Sequence, residues 1–161
     1  MDEFRILPHD LVAEQSVLGA VFIAPDTIIS LADELTPEDF YKPANKIVFK
    51  TMLSLLEKGE PIDATTMGSA LTNQGDISKI GGITYVVELV NSTPTSKNVE
   101  HYAKLVKEKA TLRKVITGLS ESLSSAYQGD VSISDLIAKT EKSMLDISNQ
   151  NTGTGFRNVA D

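Results

Sequence analysis

The chain has 161 residues, 41% of them hydrophobic, which suffices for one compact domain with an appendage and is too apolar for a disordered protein. Cysteine is absent, which excludes disulfide frameworks and thiolate metal sites and fits a reducing, cytoplasmic setting. The net charge of −7 is uneven: residues 1–60 carry eleven acidic and five basic side chains, and residues 98–128 three acidic and five basic, so an acidic head joined to a slightly basic arm makes a poor phosphate binder.

The opening Met-Asp-Glu-Phe-Arg lacks the basic-then-apolar order of a signal peptide, and no run approaches the about 18 apolar residues of a membrane span. Residues 1–7 read as an arm. Asp10 is the expected N-cap of a first helix over 11–23, in which only Glu14, Gln15 and Ser16 are polar. A helix apolar almost all round belongs at the centre of the head. Glu14 and Gln15 are expected to satisfy nearby backbone groups. Ala24-Pro25-Asp26 stops this helix, and a short second one carries Ile28, Ile29, Leu31 and Leu35.

Thr36-Pro37-Glu38-Asp39 is a cap with proline in the first turn, followed by the aromatic pair Phe40-Tyr41. Pro43 opens the next helix, with Ile47, Val48, Met52, Leu55 and Leu56 inward and Gly59 as its left-handed terminus. Asp63 caps a segment that ends near Gly75. Residues 83–90 are rich in β-branched side chains, yet they are expected to be helical, because no second strand is present to pair with them. Ser92-Thr93-Pro94-Thr95-Ser96 is the joint between a head, residues 8–95, and a second helical part.

Residues 96–149 read as a long antiparallel helical hairpin broken at Gly129-Asp130. On its first arm Tyr102, Leu105, Val106, Leu112, Ile116, Leu119, Leu123 and Tyr127 recur at steps of three and four; on its second, Ile133, Leu136, Ile137, Thr140, Met144 and Ile147 do the same. The two stripes are expected to face each other, with Val115, Val131 and Leu145 outside both. So much apolar edge calls for a second copy of the chain as partner. The expected subunit interface comprises Leu112, Ile116, Leu119, Leu123, Ile133, Leu136, Ile137 and Met144. Tyr85 and Ile116 are candidates for docking another protein, with a core role as the alternative for Tyr85. Residues 150–161 begin as a polar linker, Gln150-Asn151-Thr152-Gly153-Thr154-Gly155.

Catalytic patterns are missing. Nothing matches G-x-x-x-x-G-K-[ST], and Gly81-Gly82-Ile83-Thr84 lacks the lysine that reaches a phosphate. His9 and His101 stand in no metal-ligand spacing, and the Glu38-Asp39 pair is accounted for by a helix N-terminus. No catalytic, cofactor-binding or metal-binding residue is assigned. The basic face of residues 104–114, with Lys104, Lys107, Lys109, Arg113 and Lys114, is the one feature favouring a stand-alone nucleic-acid-binding regulator.

Five blocks carry a resemblance. Pro8-His9-Asp10-Leu11-Val12-Ala13-Glu14-Gln15-Ser16-Val17-Leu18-Gly19 resembles the opening of the bacterial and phage replicative DNA helicases of the DnaB family. Asp39-Phe40-Tyr41-Lys42-Pro43-Ala44, Gly59-Glu60-Pro61-Ile62-Asp63, Gly81-Gly82-Ile83-Thr84-Tyr85 and Glu100-His101-Tyr102-Ala103-Lys104-Leu105-Val106 occur in that family's order. Phe156-Arg157-Asn158-Val159 is similar to the start of its linker.

The resemblance implies an all-α N-terminal domain: a compact head of about six helices, then the hairpin. Hairpins would pair between subunits within a hexameric ring. Primase and a helicase loader would dock on this tier. ATP, magnesium and single-stranded DNA would belong to a motor domain beyond the linker, giving the parent protein 5′ to 3′ helicase activity that this chain lacks by itself.

Overall fold

The computed structural model describes residues 6–93 and 95–151. Pro94 of the joint, residues 1–5 of the arm and residues 152–161, including Phe156-Arg157-Asn158-Val159, lie outside the described residues. Among those described there are seven α-helices and no strand: α1 (Leu11–Ile23), α2 (Thr27–Glu34), α3 (Pro43–Glu57), α4 (Ala64–Gln74), α5 (Ile83–Ser92), α6 (Val99–Gln128) and α7 (Ile133–Asn151). Residues 83–90 are helical, as expected.

Two compact units divide the chain, one formed by His9–Ala110 and the other by Met1–Pro8 with Thr111–Asp161. The sequence reading set the division at residues 95–96; compactness sets it inside α6. The reason is local. Ala103, Val106 and Ala110 are buried, and Val99, Tyr102 and Leu105 pack against the same core, so the first turns of α6 fold as a sixth helix of the head.

In the head, the expected stops and starts operate through hydrogen bonds. The Asp10 carboxylate accepts the Ala13 N–H at 2.9 Å and caps α1. Asp63 accepts the Thr66 N–H at 2.8 Å, while the Thr66 hydroxyl accepts the Asp63 N–H at 3.0 Å, a reciprocal cap on α4. Gly59 and Gly75 close α3 and α4 with φ of 71° and 78°, a left-handed conformation that costs a residue bearing Cβ about 1 kcal/mol or more. The core joins Val17, Leu18 and Val21 of α1 to Val48, Phe49 and Met52 of α3 and Val86 and Leu89 of α5. Phe40 and Phe49 meet in it with ring centroids 5.0 Å apart. Gly19 lets α1 approach the end of α5: a Cβ there would lie 2.7 Å from the Leu89 carbonyl oxygen and 2.6 Å from Thr93 Cβ.

In the second unit, the rest of α6 turns at Gly129 (φ 68°) into an antiparallel α7. Three pairs set the register: Thr140 Oγ1 donates to Ser122 Oγ at 2.8 Å, Lys114 Nζ to Gln150 Oε1 at 2.8 Å, and a Cβ on Gly118 would lie 2.9 Å from Ser143 Oγ. The Arg113 guanidinium also donates to the Pro8 carbonyl at 2.8 Å.

Candidate assembly surface

Periodicity located the apolar faces of the hairpin but paired them incorrectly. The seam on α6 is built from Val115, Gly118 and Ser122, all buried or half-buried, and meets Thr140, Ser143 and Met144 on α7. Val115, set outside both stripes by the sequence reading, belongs to the seam. Leu112, Ile116, Leu119 and Leu123 do not: they are 38% to 52% exposed, and Tyr127 beyond them is more exposed still. The physical reason is size. Gly118 and Ser122 let the helix backbones come close, whereas a row of leucines would hold them apart.

The outward stripe is not isolated. At roughly 100° per residue it lies about a quarter turn past the seam on α6, and Ile133 and Ile137 lie about a fifth of a turn past the seam on α7, with Met144 at the seam's edge on that side. Antiparallel helices wind in opposite senses when viewed from one end, so both rows fall on the same side of the hairpin. Ile133 and Ile137 are exposed, Leu136 and Met144 half-buried. An open groove of about 740 Å³ runs along α7, lined by Leu136, Ile137, Thr140, Met144 and Leu145 among others. The eight residues expected at a subunit interface therefore lie on or beside a single apolar face. Patches of this kind on a polar helix pair mark protein contact.

Tyr85, the other docking candidate, goes into the core. It is 6% exposed, its hydroxyl donates to Asn45 Oδ1, and the Lys42 ammonium sits 4.2 Å from its ring centroid. Burial pushes the phenol up from its ordinary value, reinforced by the negative charge of Glu14 and Glu88. A ring so enclosed has no area left for a partner. Asn45 in turn donates to Glu14 Oε1 at 2.8 Å; Glu14 is 1% exposed and also accepts the Tyr41 N–H at 2.7 Å and the Lys42 N–H at 3.3 Å. The expectation that Glu14 serves backbone groups is met, though by groups distant in sequence.

The basic face of α6 is largely committed within the molecule. Lys107 pairs with Asp39 at 3.1 Å, Arg113 holds the Pro8 carbonyl and Lys114 holds Gln150. Side chains so held have little freedom to follow a phosphate backbone. Among the described residues no group of three His, Asp or Glu side chains is placed to hold a metal ion, and no helix is long and apolar enough to cross a membrane.

Comparisons with known proteins point one way. A family model described as DnaB-like helicase N terminal domain matches residues 6–108. The chain is 34% identical over 157 residues to the replicative DNA helicase DnaC of Bacillus subtilis (strain 168), covering 98% of this chain and 35% of that protein. It is 35% identical to the replicative DNA helicase DnaB of Geobacillus stearothermophilus, with the same coverage. It thus spans about a third of the length of these curated relatives. Among solved structures, the N-terminal domain of DnaB helicase from Mycobacterium tuberculosis superposes with a TM-score of 0.83 at 34% identity, covering 88% of this chain and 99% of that one. A DnaB-like replicative helicase studied for its interactions with primase gives a TM-score of 0.69 at 25% identity, over 86% of this chain and 31% of that one.

Proposed function

The chain belongs to the DnaB-like helicase N-terminal domain family, and from that membership we propose that it is the assembly and primase-docking tier of a hexameric replicative DNA helicase. The observation that carries the reading is the single apolar face on the hairpin. Leu112, Ile116, Leu119 and Leu123 from α6 and Ile133 and Ile137 from α7 present it to solvent in the isolated chain, with half-buried Met144 at its edge, and a second hairpin of the same kind covers it. Leu136 borders the contact. A two-fold pairing of this sort is self-complementary, since each face meets its own copy.

Docking of primase on this tier is supported by the likeness to a replicative helicase characterised with primase. Tyr85 has no part in it; Ile116 remains available where the face is not already covered. A helicase loader is a further partner of the assembled ring. ATP, magnesium and single-stranded DNA are handled by a motor domain outside this chain, and no residue here is assigned to them.

Sedimentation of Leu119→Glu against the parent chain tests the reading. Burying one leucine contributes about 1.5 to 3 kcal/mol, and placing a charge in an apolar contact adds a desolvation cost, so association should weaken at least tenfold. The head has its own core, so the helical circular dichroism should persist. A variant as oligomeric as the parent would place the subunit contact on the head and leave the hairpin face without a role. Retained binding of primase by a monomeric Leu119→Glu would separate docking from hairpin pairing.

A further inference from the structure

The head and the hairpin differ in what holds them. The head has a core of fully buried aromatic and aliphatic side chains, whereas among the described residues from Thr111 onward the only buried one is Gly118, which has no side chain to bury. Among its described residues α7 has none that is buried: Leu136, Met144 and Ile147 are half-buried, and Ile133 and Ile137 are 78% and 54% exposed. Its seam with α6 is made across Gly118 and the Ser122–Thr140 hydroxyl pair, contacts that remove little apolar area from water. A helix of 19 residues is marginal by itself in water, and most helical stability in proteins comes from burying an apolar face. α7 has such a face, and its own chain leaves it open.

We propose that closure of the hairpin and self-association are one coupled step: α7 docks firmly on α6 only when the hairpin of a second copy covers the shared face, and in the lone chain it opens locally while the head stays folded. This coupling rests on the reading that a second hairpin is the partner, and adds that the contact surface is completed by association. A second copy suits the role chemically. Its face offers the same large aliphatic side chains, and residues 111–151 carry four basic and five acidic side chains, so two copies meet with almost no net charge to repel them. α6 has a separate hold, because its first turns are packed into the core of the head, whereas α7 follows it through the turn at residues 129–132. Coupling lowers the apparent affinity according to the fraction of lone chains in which α7 is closed, so whatever clamps α7 strengthens assembly.

Hydrogen exchange on the 161-residue chain, read beside sedimentation, tests the coupling. On dilution from a concentration at which the chain is associated to one at which it is monomeric, exchange of α7 amides should rise about tenfold or more, while amides of α1 and α3 change less than about twofold. Leu119→Glu, on α6 and outside the seam, should show the same fast α7 exchange at the higher concentration, where it is monomeric. Equal α7 protection in associated and monomeric chains would overturn the proposal, since the seam alone would then hold the helix. So would an equal rise across α1, α3 and α7, because association would then stabilise the whole chain. A parent chain that sediments as a monomer at every concentration fails the assembly reading itself and takes the coupling with it, a result distinct from associating chains whose α7 is equally protected throughout. If Leu119→Glu does not fold or stays associated, the dilution series of the parent decides between these outcomes.

Discussion

Glu14 on α1 caps α3 from 27 residues away: its carboxylate accepts the Tyr41 N–H at 2.7 Å, just ahead of the helix that Pro43 begins. The positive end of the α3 dipole and the N–H groups of Tyr41 and Lys42 take the place of solvent for a carboxylate that is otherwise buried. Glu14→Ala leaves the Tyr41 N–H and the Asn45 amide without an acceptor, at about 1 to 3 kcal/mol each. Urea unfolding should show a loss of about 3 kcal/mol or more for Glu14→Ala and a smaller one for Glu14→Gln, which keeps one acceptor oxygen. Equal stability of Glu14→Ala and the parent would mean that water replaces the carboxylate at no cost.

The Tyr85 hydroxyl completes this network at Asn45, and burial raises its phenol above the ordinary value of 10.0. Because the folded state favours the protonated ring, the associated stability is present below about pH 10 and is lost as pH rises through the folded-state value. Tyr85→Phe should cost about 1 kcal/mol at neutral pH and remove that alkaline component from the pH dependence of unfolding. A Tyr85→Phe chain with the parent's alkaline profile would sink the assignment.

Gly19 has no room for a side chain. An added Cβ would press on the Leu89 carbonyl and on Thr93, backbone and a short side chain that cannot swing away. Gly19→Ala should destabilise the head by about 2 kcal/mol or more, despite the roughly 1 kcal/mol that alanine gains within a helix, and thermal melting reads this directly.

Gly118 offers a graded contrast in the hairpin seam. Its Cβ would meet Ser143 Oγ at 2.9 Å and Met144 Cε at 3.0 Å, both ends of side chains that can rotate. Gly118→Ala should therefore stay within about 1 kcal/mol of the parent, the crowding offset by helix propensity, whereas Gly118→Val should cost about 1 to 3 kcal/mol. If valine were as well tolerated as alanine, α6 and α7 would not be in close contact at this position.

Local chemistry made most of the helix layout legible in advance. Asp10 and Asp63 announced helix starts, Pro43 a first turn, and Gly59 and Gly75 the ends, because each acts on backbone groups within a few residues of itself. The five motif blocks also carried the family, which the comparisons then established over residues 6–108. The helical state of residues 83–90 was legible from the lack of any strand to pair with.

Only the tertiary structure decided which face of each helix is covered. Periodicity reports that Leu112, Ile116, Leu119 and Leu123 share a side of α6, but it does not report what stands opposite. Close approach at Gly118 and Ser122 gave the seam to small side chains and turned the larger stripe outward. The fates of Glu14, Tyr85, Asp39 and Lys107 were likewise beyond sequence reading. A polar group leaves water only when a partner waits for it, and the partners here lie 27 to 68 residues away, brought together by folding and by no local pattern.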